Sequence, residues 1–124
     1  MSNSKQFQKF DLQDENLEKL LHGWVSHEKN GRTGAKILTL FEQQNTMVKC
    51  SFVEFLPNSH TMPHRHTGIE YIIVLRGSFS DEYGSHKKGE LLLYEKDTVH
   101  AWKSEDGALL FVVWSGDTVA VENA

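Results

Sequence analysis

Met62-Pro63-His64-Arg65-His66-Thr67-Gly68-Ile69-Glu70-Tyr71-Ile72-Ile73-Val74-Leu75-Arg76-Gly77 is the stretch that decides how this chain is read. In an extended backbone alternate side chains share a face, so His64 and His66 point the same way. Two imidazoles a residue apart on one face suit a metal ion. Glu70 is in phase with them, yet four residues of straight strand span about 13 Å, whereas His and carboxylate donors must each come within about 2.0–2.2 Å of one ion. The chain must therefore bend between His66 and Glu70. Thr67-Gly68 supplies the bend, because glycine takes backbone angles that a Cβ resists. A hairpin-like turn there would carry Glu70 to the neighbouring strand, opposite the two histidines. A fourth donor should come from another strand. His100 fits best, since Glu95-Lys96-Asp97-Thr98 reads as a polar turn leading into a segment where His100 and Trp102 share a face. An HxH pair alone arises easily by chance; the longer pattern, with a further His in a later strand, does not.

Outward from this stretch the chain has the texture of short strands. Lys36–Phe41, Met47–Leu56, Glu70–Leu75, Gly77–Asp81, Glu90–Tyr94, Thr98–Lys103 and Ala108–Trp114 are rich in β-branched and aromatic residues. Turn residues separate them every 8–12 positions or so, the pattern of an antiparallel sandwich or barrel. Residues 69–75 and 108–114 are apolar at nearly every position, so both faces of those strands need cover. One face would meet the barrel interior, the other a second sheet, an arm or another subunit. Residues 1–34 read as an N-terminal arm, with a short helix over Asp11–Leu21 and Asp14 as its cap. Residues 35–124 form the barrel, the two making one domain overall.

Composition narrows the function. The chain has 124 residues, with 13 Lys and Arg against 17 Asp and Glu. That acidic balance argues against a nucleic-acid partner. No apolar run is long enough to span a bilayer. The first residues lack the apolar stretch of a signal peptide, so a cytoplasmic location is expected. Cys50 stands alone and can build neither a disulfide framework nor a CxxC zinc site; it reads as a small core residue. Exposed strand edges and the two greasy strands predict a homodimer.

His64-x-His66-xxx-Glu70-xxxxxx-Gly77 resembles the first motif of the cupin superfamily, and Gly89 through Glu95, Asp97 and His100 resembles the second. The likeness is closer still to the ChrR-like cupins. There a similar segment leads to a hairpin such as Phe79-Ser80-Asp81-Glu82-Tyr83-Gly84, and a turn such as Ser104-Glu105-Asp106-Gly107 precedes the last apolar strand. Asn58 stands where the first motif opens with Gly, and Asn tolerates left-handed backbone. Glu95 and Asp97 replace the Pro and Gly of the turn before His100.

The resemblance implies an all-β, double-stranded β-helix or jelly-roll barrel. It places one divalent transition metal (Zn, Fe, Mn, Ni or Co) on His64, His66, Glu70 and His100. It also implies two roles. One is a non-haem iron dioxygenase for a small carbonyl or phenolic ligand, walled by Met62, Tyr71, Ile72, Val74, Leu92, Trp102 and Phe111, with His60 at the rim. The other is a regulatory or sensing module; sigma-factor binding is not expected without the separate helical zinc domain that such regulators carry. A barrel whose ion is purely structural is a third reading. His86 reads as solvated, His22 and His27 lie outside the motif, and Arg65 and Arg76 read as surface ion-pair partners.

Overall fold

The computed structural model describes residues 6–20, 24–27 and 32–121. Its strands are β1 (Val25–Ser26), β2 (Thr33–Glu42), β3 (Lys49–His60), β4 (His64–His66), β5 (Glu70–Asp81), β6 (Gly84–Lys87), β7 (Leu91–Tyr94), β8 (Val99–His100), β9 (Lys103–Ser104), β10 (Ala108–Trp114) and β11 (Thr118–Ala120). All pairings are antiparallel. The large sheet runs β1-β2-β3-β10-β5-β6, with β7 also on β5 and β9 bridging β3 and β5; the small sheet runs β11-β4-β8. This is the expected jelly roll.

Alternation along the strands sorts the core into two layers. Ala35, Ile37, Val53, Phe55, Ile72, Val74, Phe79, Tyr94, Trp102, Ala108, Leu110 and Val112 fill the interior between the sheets. The opposite faces of β3, β5 and β10 carry Phe52, Leu75 and Leu109, which pack with Leu17 of the arm. Leu17 is 1% exposed, a burial worth about 1.5–3 kcal/mol. The arm is thus the cover for the outer face of β10. Phe10 meets Phe52 edge-on at 5.2 Å and Trp24 stacks on it at 6.4 Å. Asp14–Lys88 and Glu18–Arg76 ion pairs fasten the rim.

The helical segment is a 3-10 helix over Asp14–Leu20. Its start is held by Asp11 and not by Asp14. The Asp11 carboxylate accepts from the Gln13 backbone N–H at 3.0 Å and from the Asn16 amide at 2.7 Å. The strands run longer than expected at several ends, because β3 continues through Pro57 and Asn58. Asn58 takes φ 63° and Asp97 φ 73°, so both residues adopt the left-handed backbone of the glycines they stand in for.

The link from β4 to β5 is where the expected geometry needs correcting. β4 belongs to the small sheet and β5 to the large one, so residues 67–69 form a crossing between sheets and not a hairpin. Gly68 is also required for a different reason. Its φ is not left-handed. A Cβ there would lie 2.7 Å from both the Gly116 nitrogen and the Ser115 hydroxyl. The crossing works because two backbones, at Gly68 and Gly116, touch directly.

Candidate metal centre

The crossing sets the site. His64 and His66 flank Arg65 on β4, both turned inward, and His100 on β8 sits directly across from His64 in the pairing register. Glu70, the first residue of β5, faces them from the other sheet. The three histidines are buried at 1–2% exposure and Glu70 at 7%. One ring nitrogen from each of His64, His66 and His100 falls within 4.8 Å of the others. Three buried histidines in this arrangement could hold a metal ion.

The outer nitrogens are all engaged. His64 Nδ1 donates to the Met62 carbonyl at 3.1 Å, which can only accept. His66 Nδ1 donates at 2.8 Å to the Thr98 hydroxyl, whose own proton goes to the Glu95 carbonyl. His100 Nδ1 donates to the Asp81 carboxylate at 2.9 Å. With Nδ1 protonated, each neutral ring presents a bare lone pair at Nε2. His66 Nε2 lies 3.0 Å and His100 Nε2 3.7 Å from Glu70 Oε1. His66 Nε2, His100 Nε2 and Glu70 Oε1 are buried without a hydrogen-bond partner. Buried polar atoms are rarely left so. Lone pairs converging on an anionic oxygen call for a cation between them, and three imidazoles with a carboxylate suit a borderline first-row ion.

Electrostatics agrees. Burial, helped by the neighbouring His100, lowers the His64 pKa to about 4, which keeps that ring neutral and available as a donor. Burial alone would raise the Glu70 carboxyl, but the facing imidazoles of His66, His100 and His64 hold it below the usual range.

Asp81 anchors the arrangement. Its carboxylate accepts from His100, from Tyr94 Oη at 2.6 Å, from His86 Nε2 at 2.8 Å and from the Tyr83 backbone N–H at 2.9 Å. Burial would raise its pKa; these donors outweigh that and push it well below the carboxylate range. Burial and the bond to Asp81 raise the Tyr94 phenol far above its ordinary value, so it remains a donor. Glu82 accepts from the Ala101 N–H and fixes the strand end beside His100. His86, expected in solvent, is buried because it completes the Asp81 cluster. The hairpin at residues 79–84 was visible in the sequence, but parity along β4 and β8 gives no hint that its acid reaches His100.

A cavity of about 900 Å³ opens from the histidines through the barrel, walled by Val53, Phe55, Ile72, Trp102, Leu110 and Val112. Trp102 stacks on Phe55 at 3.6 Å. Val74 and Leu92 lie in the same interior layer, and the remaining wall candidates are placed elsewhere. Tyr71 alternates with Glu70 and Ile72 and faces outward, and Phe111 packs in the outer layer beside Leu109. Met62 is exposed. His60 lines a separate shallow depression with Thr61 and Lys103. Arg65 pairs with Asp97 at 2.9 Å at the surface. His22 lies outside the described residues, as does Leu21. His27 and Arg32 reach the cavity from the arm and the start of β2; no periodicity marks either of them.

An all-β jelly roll enclosing inward-facing histidines from two paired strands, β4 and β8, defines a cupin. The family model for the ChrR cupin-like domain matches residues 21–116, and the chain belongs to that family. No curated protein matches it in sequence. Among solved structures, an acetylacetone dioxygenase from Acinetobacter johnsonii superposes with a TM-score of 0.76 at 11% identity, over 99% of this chain and 82% of that one. A cupin-like protein of unknown function from Ralstonia eutropha gives 0.67 at 18% identity, over 73% of this chain. This chain spans 60% of that protein's length. The anti-sigma factor ChrR of Rhodobacter sphaeroides, in complex with SigE, gives 0.63 at 17% identity, over 74% of this chain and 48% of that one. At these identities the likeness is one of fold. No helix among the described residues is long and apolar enough to cross a membrane.

Proposed function

We propose that this cupin holds one divalent transition metal on His64, His66 and His100, with Glu70 as an additional ligand, and presents it to a small carbonyl or phenolic molecule bound in the barrel. The observation that carries the reading is that His66 Nε2, His100 Nε2 and Glu70 Oε1 are buried without a partner, while the Nδ1 atoms of all three rings are engaged on the outer side. Iron in such a site would supply oxygen activation and a Lewis-acid anchor for the ligand's oxygens. The chain's own part is positional. Met62, Thr98 and Asp81 hold the imidazoles in one tautomer, which is how outer partners raise ligand basicity. The apolar wall of Phe55, Ile72, Trp102 and Leu110 excludes water and packs the ligand's hydrocarbon part. Oxygen uptake by iron(II)-loaded protein with pentane-2,4-dione or a dihydroxyphenyl ketone tests the enzyme reading. Uptake that disappears in His66→Ala is expected, and no uptake with any such compound would overturn it.

The family match favours a second reading, a sensing cupin that binds metal or ligand without turnover. It predicts ligand-induced stabilisation with no oxygen consumed. Homodimerisation belongs to either reading. Tyr71 and Ile73 of β5 pair with Leu93 and Leu91 of the edge strand β7, and these four side chains are 38–60% exposed. The arm that covers β10 leaves this patch open, and a second copy of the chain would cover it.

A further inference from the structure

Arg32 is 8% exposed and is the one buried Lys or Arg among the described residues. It precedes β2 and lines the same cavity as His64, Glu70 and His100. Among the described residues its guanidinium has one hydrogen-bond partner, the His27 carbonyl at 3.1 Å from Nη1. A guanidinium carries five N–H donors, so most of its capacity is unspent. Burial lowers its pKa to about 10, with the charge of Glu70 acting in the opposite direction, and it stays cationic at neutral pH. Glu70 does not close the pair. Its Oε2 is taken by Trp114 Nε1 at 2.6 Å and its Oε1 is turned to His66. A buried cation with free donors beside a cavity is costly unless an anion meets it.

We propose that Arg32 is the anion-recognition residue of this cavity and that the natural ligand is a small organic acid. Its carboxylate pairs with the Arg32 guanidinium while a carbonyl, enol or hydroxyl oxygen at the other end faces His64, His66 and His100. The planar fork of arginine matches a carboxylate in a two-point contact. The apolar wall between the two ends leaves room for a short hydrocarbon body. The inference deepens the proposed function and takes from it the metal-facing end of the ligand; the carboxylate end stands on Arg32 alone.

Acetoacetate and pentane-2,4-dione make the test pair, because they differ by an anionic oxygen in place of a methyl group. Calorimetric titration of zinc-loaded and metal-free protein is done on the native chain, Arg32→Gln and Arg32→Lys, with zinc content and melting temperature measured on each. The native protein should prefer acetoacetate by about tenfold or more, as a charge-assisted contact implies. Arg32→Gln should lose that preference while retaining zinc and its affinity for the diketone, and Arg32→Lys should keep part of it. If the residue only braces the chain at His27, Arg32→Gln lowers the melting temperature and leaves the relative affinities unchanged, which overturns the proposal. Absence of any preference in the native protein overturns it too, even if Arg32→Gln fails to fold. Should the native protein take up no zinc yet bind acetoacetate through Arg32, the metal reading falls and the assignment of Arg32 stands.

Discussion

Asp81 shows how much of the site's chemistry lies one residue beyond the candidate ligands. One carboxylate oxygen receives both His100 Nδ1 and the Tyr94 hydroxyl, the other His86 and the Tyr83 N–H. Asp81→Asn keeps the shape but removes the charge and turns one acceptor into a donor, so His100 loses its orientation. Metal affinity, measured by chelator competition, should fall about 10–100-fold; unchanged affinity would mean that His100 is held by packing alone. His64 gives a pH prediction. Its folded pKa near 4 lies below the ordinary 6.5, so between these values the unfolded chain binds the extra proton and the folded one resists it. The stability tied to the neutral ring is complete above 6.5 and is lost as pH falls toward 4. Metal-free native protein should therefore lose melting temperature across that window, and His64→Gln should show a shallower decline. Parallel curves for the two would contradict the assignment.

Elements explain what the sequence could and could not disclose. The HxH parity on β4 and the register that sets His100 against His64 follow from period-2 alternation, which is why these histidines were legible. Alternation also decides where Tyr71 and Phe111 point. They are in antiphase with Glu70 and Leu110, and apolarity alone hid that, because β5 and β10 are greasy on both faces. Asp81 and Arg32 carry no such signal, since Asp81 reaches His100 across 19 residues and Arg32 meets the cavity of His64, Glu70 and His100 only in the folded chain. Sequence alone marks 67–69 as a bend needing a special φ, whereas the constraint in the fold is room for two backbones. Gly68→Ala should accordingly destabilise the fold by about 1–3 kcal/mol through overpacking against Gly116. A urea midpoint equal to the native one would show that the crossing has slack.

At the scale of the molecule, the arm and the barrel divide the apolar surface between them. Leu17, Trp24 and Phe10 close the outer face over Phe52 and Leu109, while the β5–β7 patch of Tyr71, Ile73, Leu91 and Leu93 stays uncovered. Leu91→Asp with Leu93→Asp should shift a dimer to monomer in sedimentation velocity with little change in fold. A native chain that is already monomeric would assign that patch to something else. The whole interior is organised around the convergence of histidines from the paired strands β4 and β8, and the most direct test is the metal itself. Elemental analysis and X-ray absorption of protein purified without chelator should find close to one first-row ion per chain, bound by three imidazole nitrogens, with most of it lost in His66→Ala. An ion-free native chain that is folded and cannot be loaded, or equal metal in the native and His66→Ala proteins, would contradict the account.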